Sequence, residues 1–186
     1  MNITENYKQQ LKELHSLKAF GANSTIPEEV LRCIRDYNIA SILDFGCGKG
    51  NMVANLEKQF PSLKIYGYDP TSENHNVFPG HNIDMIYSTD VLEHVEPSAL
   101  DTTLHFLANK TLKVMHHLIA CHPAKKKLND GRNAHLIIEH PKWWAEKFKI
   151  IPEWKITKDY TTEWNKKTKN GILHVIKYHV TLEKIL

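Results

Sequence analysis

The segment Ile42-Leu43-Asp44-Phe45-Gly46-Cys47-Gly48-Lys49-Gly50-Asn51 carries the spacing that speaks most directly to chemistry. A short apolar run leads into three glycines at alternate positions and then into a helical pattern. Glycines in such a turn let backbone approach a ligand closely and adopt conformations that a Cβ forbids. Asp69 follows Gly50 by 19 residues, at the end of the next apolar run. An acid there can hold the two hydroxyls of a ribose, so the site is shaped for a nucleoside. A dinucleotide fingerprint spaces its glycines G-x-G-x-x-G and sets a pyrophosphate at the helix N-terminus. Here the spacing is G-x-G-x-G, and Asp44 stands two residues before the first glycine. A fixed carboxylate repels a pyrophosphate but attracts a ligand carrying an ammonium and a sulfonium. The charge argument therefore favours S-adenosylmethionine over NAD.

The same residues resemble a known family. Asp44-x-Gly46-x-Gly48-x-Gly50 looks like the first motif of the class I, Rossmann-like S-adenosylmethionine-dependent methyltransferases, and Tyr66-Gly67-Tyr68-Asp69 matches their acidic second motif. The stretch from Asp84 to Val95 is similar to a later strand of many small-molecule and RNA members, with the pattern D-x-[IV]-x-x-x-x-[VA]-L-E-H. The resemblance covers residues 40–97 and implies a small stand-alone enzyme that uses S-adenosylmethionine. It places cofactor contacts at Asp44, Gly46, Cys47, Gly48, Gly50, Asp69, Pro70 and Asp90. It sets Asp90 beside the methyl group and His94 where the family commonly has a histidine. One departure concerns the fold: only 14 residues separate Asp69 from Asp84. A crossover needs at least ~10–12 residues with its helix, besides an extra strand. The edge strand after Asp69 is therefore expected to be short or absent. The acid that usually meets the adenine amino group has no clear counterpart, with His81 or Asn82 as stand-ins.

Methyl transfer is an in-line displacement, so the protein must align the acceptor and, for a hydroxyl or ammonium, remove a proton. Asp90 and the stretch His122–His135 both follow predicted strands, at the end of an open α/β sheet where ligands bind. His135 is the candidate general base, since imidazole titrates near neutrality. Asp90 would orient the acceptor or the base. Arg132 can grip an anionic group bidentately, and Asn133, His94 and Trp143 complete the expected substrate contacts. The plainer alternatives are a turn acid at Asp90, a loop-capping role for His94, a solvated basic loop, and core packing for Trp143 and its neighbour Trp144. Twelve histidines are present, yet no metal-ligand spacing appears, so no metal is assigned. His116 and His117 adjoin on a strand and would face opposite sides.

Positioning these groups requires an α/β domain with a mostly parallel sheet. Tyr7, Leu11, Leu14 and Leu17 recur at helical spacing, and Phe20–Asn23 breaks the pattern. Thr25-Ile26-Pro27-Glu28 reads as a capping box opening a second helix. Strands are expected at 40–45, 64–69, 84–89 and 113–121, and helices at 51–60, 98–109 and 141–149. Two final strands, 154–161 and 172–182, would pair antiparallel across a polar loop. Residues 1–186 form a single domain, with 1–37 as a helical lid over the cofactor.

Composition agrees with an ordinary globular protein: 41% apolar and 24% charged over 186 residues. No apolar run approaches the ~18 residues of a membrane span, and the N-terminus lacks a signal-peptide pattern. Three scattered cysteines give no disulfide framework and point to the reducing cytoplasm. The charge is uneven: residues 1–120 carry 10 basic and 14 acidic groups, and residues 121–186 carry 14 and 7. The expected activity is methylation of an oxygen or nitrogen on a small acceptor, anionic if Arg132 binds it. The basic, tryptophan-bearing C-terminal third makes RNA methylation the alternative. The shortened region after Asp69 suggests a second, a non-catalytic cofactor-binding partner subunit. Motifs for amino-methylation of DNA bases, attack on a pyrimidine ring and arsenical methylation are absent. Neither the oligomeric state nor the identity of the acceptor follows from the residues.

Overall fold

The computed structural model describes residues 3–16, 22, 24–168 and 171–185. In chain order the elements are α1 (Glu5–Ser16), α2 (Glu28–Asp36), β1 (Ser41–Phe45), α3 (Asn51–Gln59), β2 (Lys64–Tyr68), β3 (Ile83–Thr89), α4 (Leu100–Lys110), β4 (Thr111–Ala120), α5 (Pro141–Lys149), β5 (Trp154–Thr168) and β6 (Gly171–Lys184). They build one six-stranded sheet in the order β2-β1-β3-β4-β6-β5. The first four strands are parallel, and β6 and β5 close the sheet antiparallel. This is the Rossmann-like architecture expected from the sequence. Residues 69–82, between β2 and β3, contain no strand, so β2 forms one edge of the sheet.

Alternation along the strands supplies two cores. Ile42, Met85, Tyr87 and Val114 pack against Val30, Cys33 and Ile34 of α2 and Met52 and Leu56 of α3. Leu43, Phe45, Ile86 and Met115 face Leu104 and Leu107 of α4 and Trp144 and Phe148 of α5. Each fully buried Leu, Ile or Phe side chain is worth roughly 1.5–3 kcal/mol relative to exposure. His116 and His117 point to opposite faces: His116 bonds Thr181 at 3.0 Å, and His117 stacks on Phe148. Burial pushes both imidazoles down to about 3, so they sit in the core as neutral rings.

Two local expectations are corrected. Helix α2 begins at Glu28 behind Pro27, with no side-chain cap, so the Thr25 capping box does not form at its N-cap. The polar stretch is not a loop over residues 162–168: β5 runs to Thr168, and β6 starts at Gly171. Its pairing comes from the backbone of a ribbon that is mostly exposed, so the apolar alternation that signals a half-buried strand is missing. Of the predicted break at Phe20–Asn23, only Ala22 lies within the described residues. No described helix is long and apolar enough to cross a membrane.

Candidate active site

The chain leaves β1 through a loop in which Gly46, Gly48 and Gly50 all take positive φ, +79°, +54° and +75°. At Gly46 a Cβ would stand 2.4 Å from Val91 Cγ2, so the position excludes a side chain on both counts. The Gly46 and Cys47 amides donate to the Tyr68 carbonyl at 2.7 and 3.1 Å, tying the loop to the end of β2. Asp69, just past β2, accepts from the Gly48 amide at 3.1 Å and from the amide and hydroxyl of Thr71 at 2.8 and 2.6 Å. Because the Thr71 hydroxyl gives its proton to Asp69, it accepts from His15 Nδ1 of α1 at 2.8 Å. Beneath the loop, Asp44 is 1% exposed, and neither of its oxygens is hydrogen-bonded. Burial pushes its carboxyl up to about 7, an effect the nearby Tyr87 hydroxyl partly offsets.

At the far end of the site, Asp90 follows β3 with φ +54°, an uncommon conformation outside glycine that tends to collect at functional sites. Lys177 of β6 clamps both of its oxygens, at 2.8 and 2.6 Å. The turn Leu92–His94 then brings in Glu93 and His94. Glu93 is fully buried, its Oε1 accepting from the Ala120 amide at 3.2 Å. His94 donates its Nδ1–H to the Ala134 carbonyl at 2.6 Å, and His135 donates its own to the His122 carbonyl at 2.5 Å. Burial, reinforced by His135, lowers His94 to about 4, and burial also lowers His135. Glu93 is raised by burial and by the charge of Asp90.

A cavity of about 610 Å³ joins the two ends. Gly46, Cys47, Gly48, Asp69 and Pro70 line one side; Asp90, His94, His122 and His135 line the other. Tyr7, Leu11 and His15 of α1 form part of the wall, and the Tyr7 hydroxyl donates to the His94 carbonyl. Trp164 and Lys166 of β5 and Leu173 and Val175 of β6 reach in from the ribbon. Lys125 and Lys126 enter from the loop after β4.

Of the sequence-selected residues, Gly50, Arg132, Asn133 and Trp143 do not line this cavity, and Asp44 lies beneath it. Arg132 is spent on a two-pronged pairing with Asp130, at 2.9 and 2.7 Å, over the Tyr7 ring. Asn133 staples the loop, accepting from the Ala124 and His135 amides and donating to the Ala124 carbonyl. Trp143 packs edge-on against Trp144 and the core under α5. Sequence reading gave no role to Tyr7, Glu93, His122 or Lys177; Glu93 carried a local signal as the neighbour of His94, and His122 as the first residue of the stretch His122–His135.

Residues 8–149 match the sequence model of a family described as a methyltransferase domain. The chain belongs to that family. No curated protein matches it in sequence. Among solved structures, the methyltransferase resembles the 1,6-didemethyltoxoflavin N1-methyltransferase of Burkholderia thailandensis, with a TM-score of 0.65 and 13% identity over 100% of this chain and 92% of that one. It also resembles an S-adenosylmethionine-dependent methyltransferase of Anabaena variabilis, with a TM-score of 0.62 and 13% identity, covering 99% and 96%. TehB of Haemophilus influenzae gives a TM-score of 0.61 at 15% identity, covering 96% and 67%. The fold is shared with all three. The methyltransferase's cofactor is S-adenosylmethionine, and the residues present fit it. Gly46, Cys47 and Gly48 expose the glycine loop at the cavity wall beside Asp69 and Pro70, and the buried Asp44 carboxyl, without a hydrogen-bond partner, lies beneath that loop. The bound cofactor supplies an electrophilic methyl group; the protein holds and orients it.

Proposed function

We propose that this methyltransferase acts on an oxygen or nitrogen of a small anionic acceptor, bound at the Asp90–His135 end of the cavity. The observation that carries the reading is the continuity of one cavity from the glycine loop and Asp69 to Asp90, His94 and His135. A small molecule is favoured over a polymer by its volume of about 610 Å³ and by the residues that α1 and the β5–β6 ribbon add to its wall. Lys125, Lys126 and Lys166 supply positive charge at the cavity, the role that Arg132 was expected to play. Three buried free thiols, Cys33, Cys47 and Cys121, suit work in the reducing cytoplasm. The toxoflavin-precursor enzyme among the structural neighbours is named for a small-molecule acceptor, which agrees with this reading.

Bound beside the glycine loop and Asp69, S-adenosylmethionine would supply an electrophilic methyl group to the acceptor's lone pair, with the thioether as leaving group. The acceptor's proton passes to His135 Nε2, which carries the lone pair because Nδ1–H is committed to the His122 carbonyl. Asp90, fixed by Lys177, orients the acceptor. The test is a screen of metabolite and RNA pools with a labelled methyl donor, followed by kinetics on the acceptor found. His135→Ala should lower turnover about 10²–10⁴-fold with donor affinity unchanged. Label entering RNA rather than metabolites would overturn the small-molecule assignment, and near-normal turnover would remove His135 from the proton step.

A further inference from the structure

We propose that Glu93, His94 and His135 form a site for one divalent transition-metal ion at the acceptor end of the cavity. One donor atom from each of the three lies within 4.8 Å of the others, and His135 Nε2 stands 4.0 Å from Glu93 Oε1. Sequence spacing gave no hint of this, since His135 lies 41 residues beyond His94. Donors around an ion bound at about 2.1 Å sit roughly 3–3.5 Å apart, so side-chain shifts of about an ångström close the set.

Three features separate this cluster from a chance gathering of polar groups. First, each imidazole donates Nδ1–H to a backbone carbonyl, His94 to Ala134 and His135 to His122. That fixes both tautomers with the lone pair on Nε2, the outer-shell arrangement that metal-binding histidines share. Second, Glu93 is 0% exposed; its Oε1 has the Ala120 amide, while its Oε2 has no hydrogen-bond partner. Lys177, the lysine whose charge acts on Glu93, is committed to Asp90. A buried carboxylate oxygen left unpartnered is costly, and a dication would satisfy it. Third, the ligands are held from outside: the Ile137 amide donates to the Glu93 carbonyl at 3.0 Å and the Tyr7 hydroxyl to the His94 carbonyl.

Two nitrogens and one carboxylate favour manganese, cobalt or zinc over calcium and magnesium, which prefer all-oxygen sites. His94 and His135 line the cavity, so the remaining coordination positions open toward the acceptor. Resting on the methyl-transfer reading, the site narrows the acceptor to a hydroxyl compound. A coordinated hydroxyl ionises more readily, its proton leaves to water, and the resulting oxygen anion takes the methyl group as the sulfur–carbon bond breaks. With the ion bound, His135 Nε2 is a ligand and no longer the proton acceptor; it takes the acceptor's proton only in the ion-free enzyme.

The test uses the full chain, stripped with chelator and titrated calorimetrically with Mn²⁺, Co²⁺ or Zn²⁺ alone. Visible absorption of the cobalt form reports nitrogen ligation. One ion per chain is expected. Glu93→Gln keeps an acceptor for the Ala120 amide and should weaken uptake at least about 10–100-fold, and His135→Ala should do the same. Unchanged S-adenosylhomocysteine affinity in each variant shows that its fold is intact. If Glu93→Gln does not fold, wild type and His135→Ala decide. The absence of saturable uptake by wild type, or equal uptake by folded variants, overturns the site. Ion uptake without any S-adenosylhomocysteine binding would instead overturn the methyl-transfer reading. Turnover that persists in chelator would refute the ion's part in the reaction.

Discussion

Replacing Asp44 by Asn tests why this glycine loop prefers a cationic ligand. Asp44 is 1% exposed, its oxygens lack hydrogen bonds, and burial raises its carboxyl to about 7. If the bound cofactor's ammonium requires the ionised form, free protein must first give up a proton. For a group at about 7, the ionised fraction rises from about one in eleven at pH 6 to about ten in eleven at pH 8. Affinity should therefore increase about tenfold over that range, about 1.4 kcal/mol. A carboxyl at its ordinary 3.8 would be ionised throughout and give no such rise. The ligand's own amino group titrates at roughly 8, and so do other groups of the protein. The informative quantity is thus the ratio of wild-type to Asp44→Asn affinity for S-adenosylhomocysteine at each pH. Calorimetry in two buffers of different ionisation enthalpy should also count the released proton in wild type and lose it in the variant. Parallel pH profiles for the two proteins would refute the reasoning and leave Asp44 as a structural acid.

Gly46→Ala should abolish cofactor binding, because φ +79° and a 2.4 Å approach to Val91 leave no place for the methyl group; calorimetry beside a melting curve checks this. A chain lacking residues 1–24 loses the Tyr7, Leu11 and His15 wall and the His15–Thr71–Asp69 relay. Its cofactor affinity should fall roughly tenfold or more, from loss of hydrogen bonds worth about 0.5–1.5 kcal/mol each; equal affinity would count against α1 as a lid. Glu29 would be raised by burial, yet Lys158 and Arg32 bring it down to about 2. Its folded value lies below the ordinary 4.5, so its contribution is full above that pH and is lost as pH falls through about 2. Urea unfolding of Glu29→Gln across pH 2–7 should show lower stability at neutral pH and a flatter acid limb than wild type.

The fold was legible where burial dictates pattern. The apolar runs at Ser41–Phe45 and Ile83–Thr89 lie inside a sheet covered on both faces, and Pro61 and Pro141 mark helix boundaries that sterics enforce. The ribbon was only half legible, because residues such as Lys166 and Lys167 pair through backbone and leave their side chains in water. In the site, the glycine loop could be read because its function is local and conformational. The partnership of Asp90 with Lys177 joins residues 87 apart and leaves no local trace. The same holds for Glu93, His94 and His135, which meet only because the turn after β3 and the loop after β4 share one end of the sheet.

The outer strand of the ribbon has a consequence for how this protein behaves in a crowded solution. β5 ends the sheet, and a 15-residue terminal strand offers a row of unpaired amides and carbonyls to any neighbour. Tyr160, Thr161, Thr162 and Trp164 give its middle high β-propensity. Lys166 and Lys167 follow that stretch, and two copies laid edge to edge would bring their ammonium groups close, whereas Lys155 and Lys158 are paired with Glu183 and Glu29. Acylating Lys166 and Lys167, or screening them with salt while the ribbon stays folded, should increase association through the β5 edge.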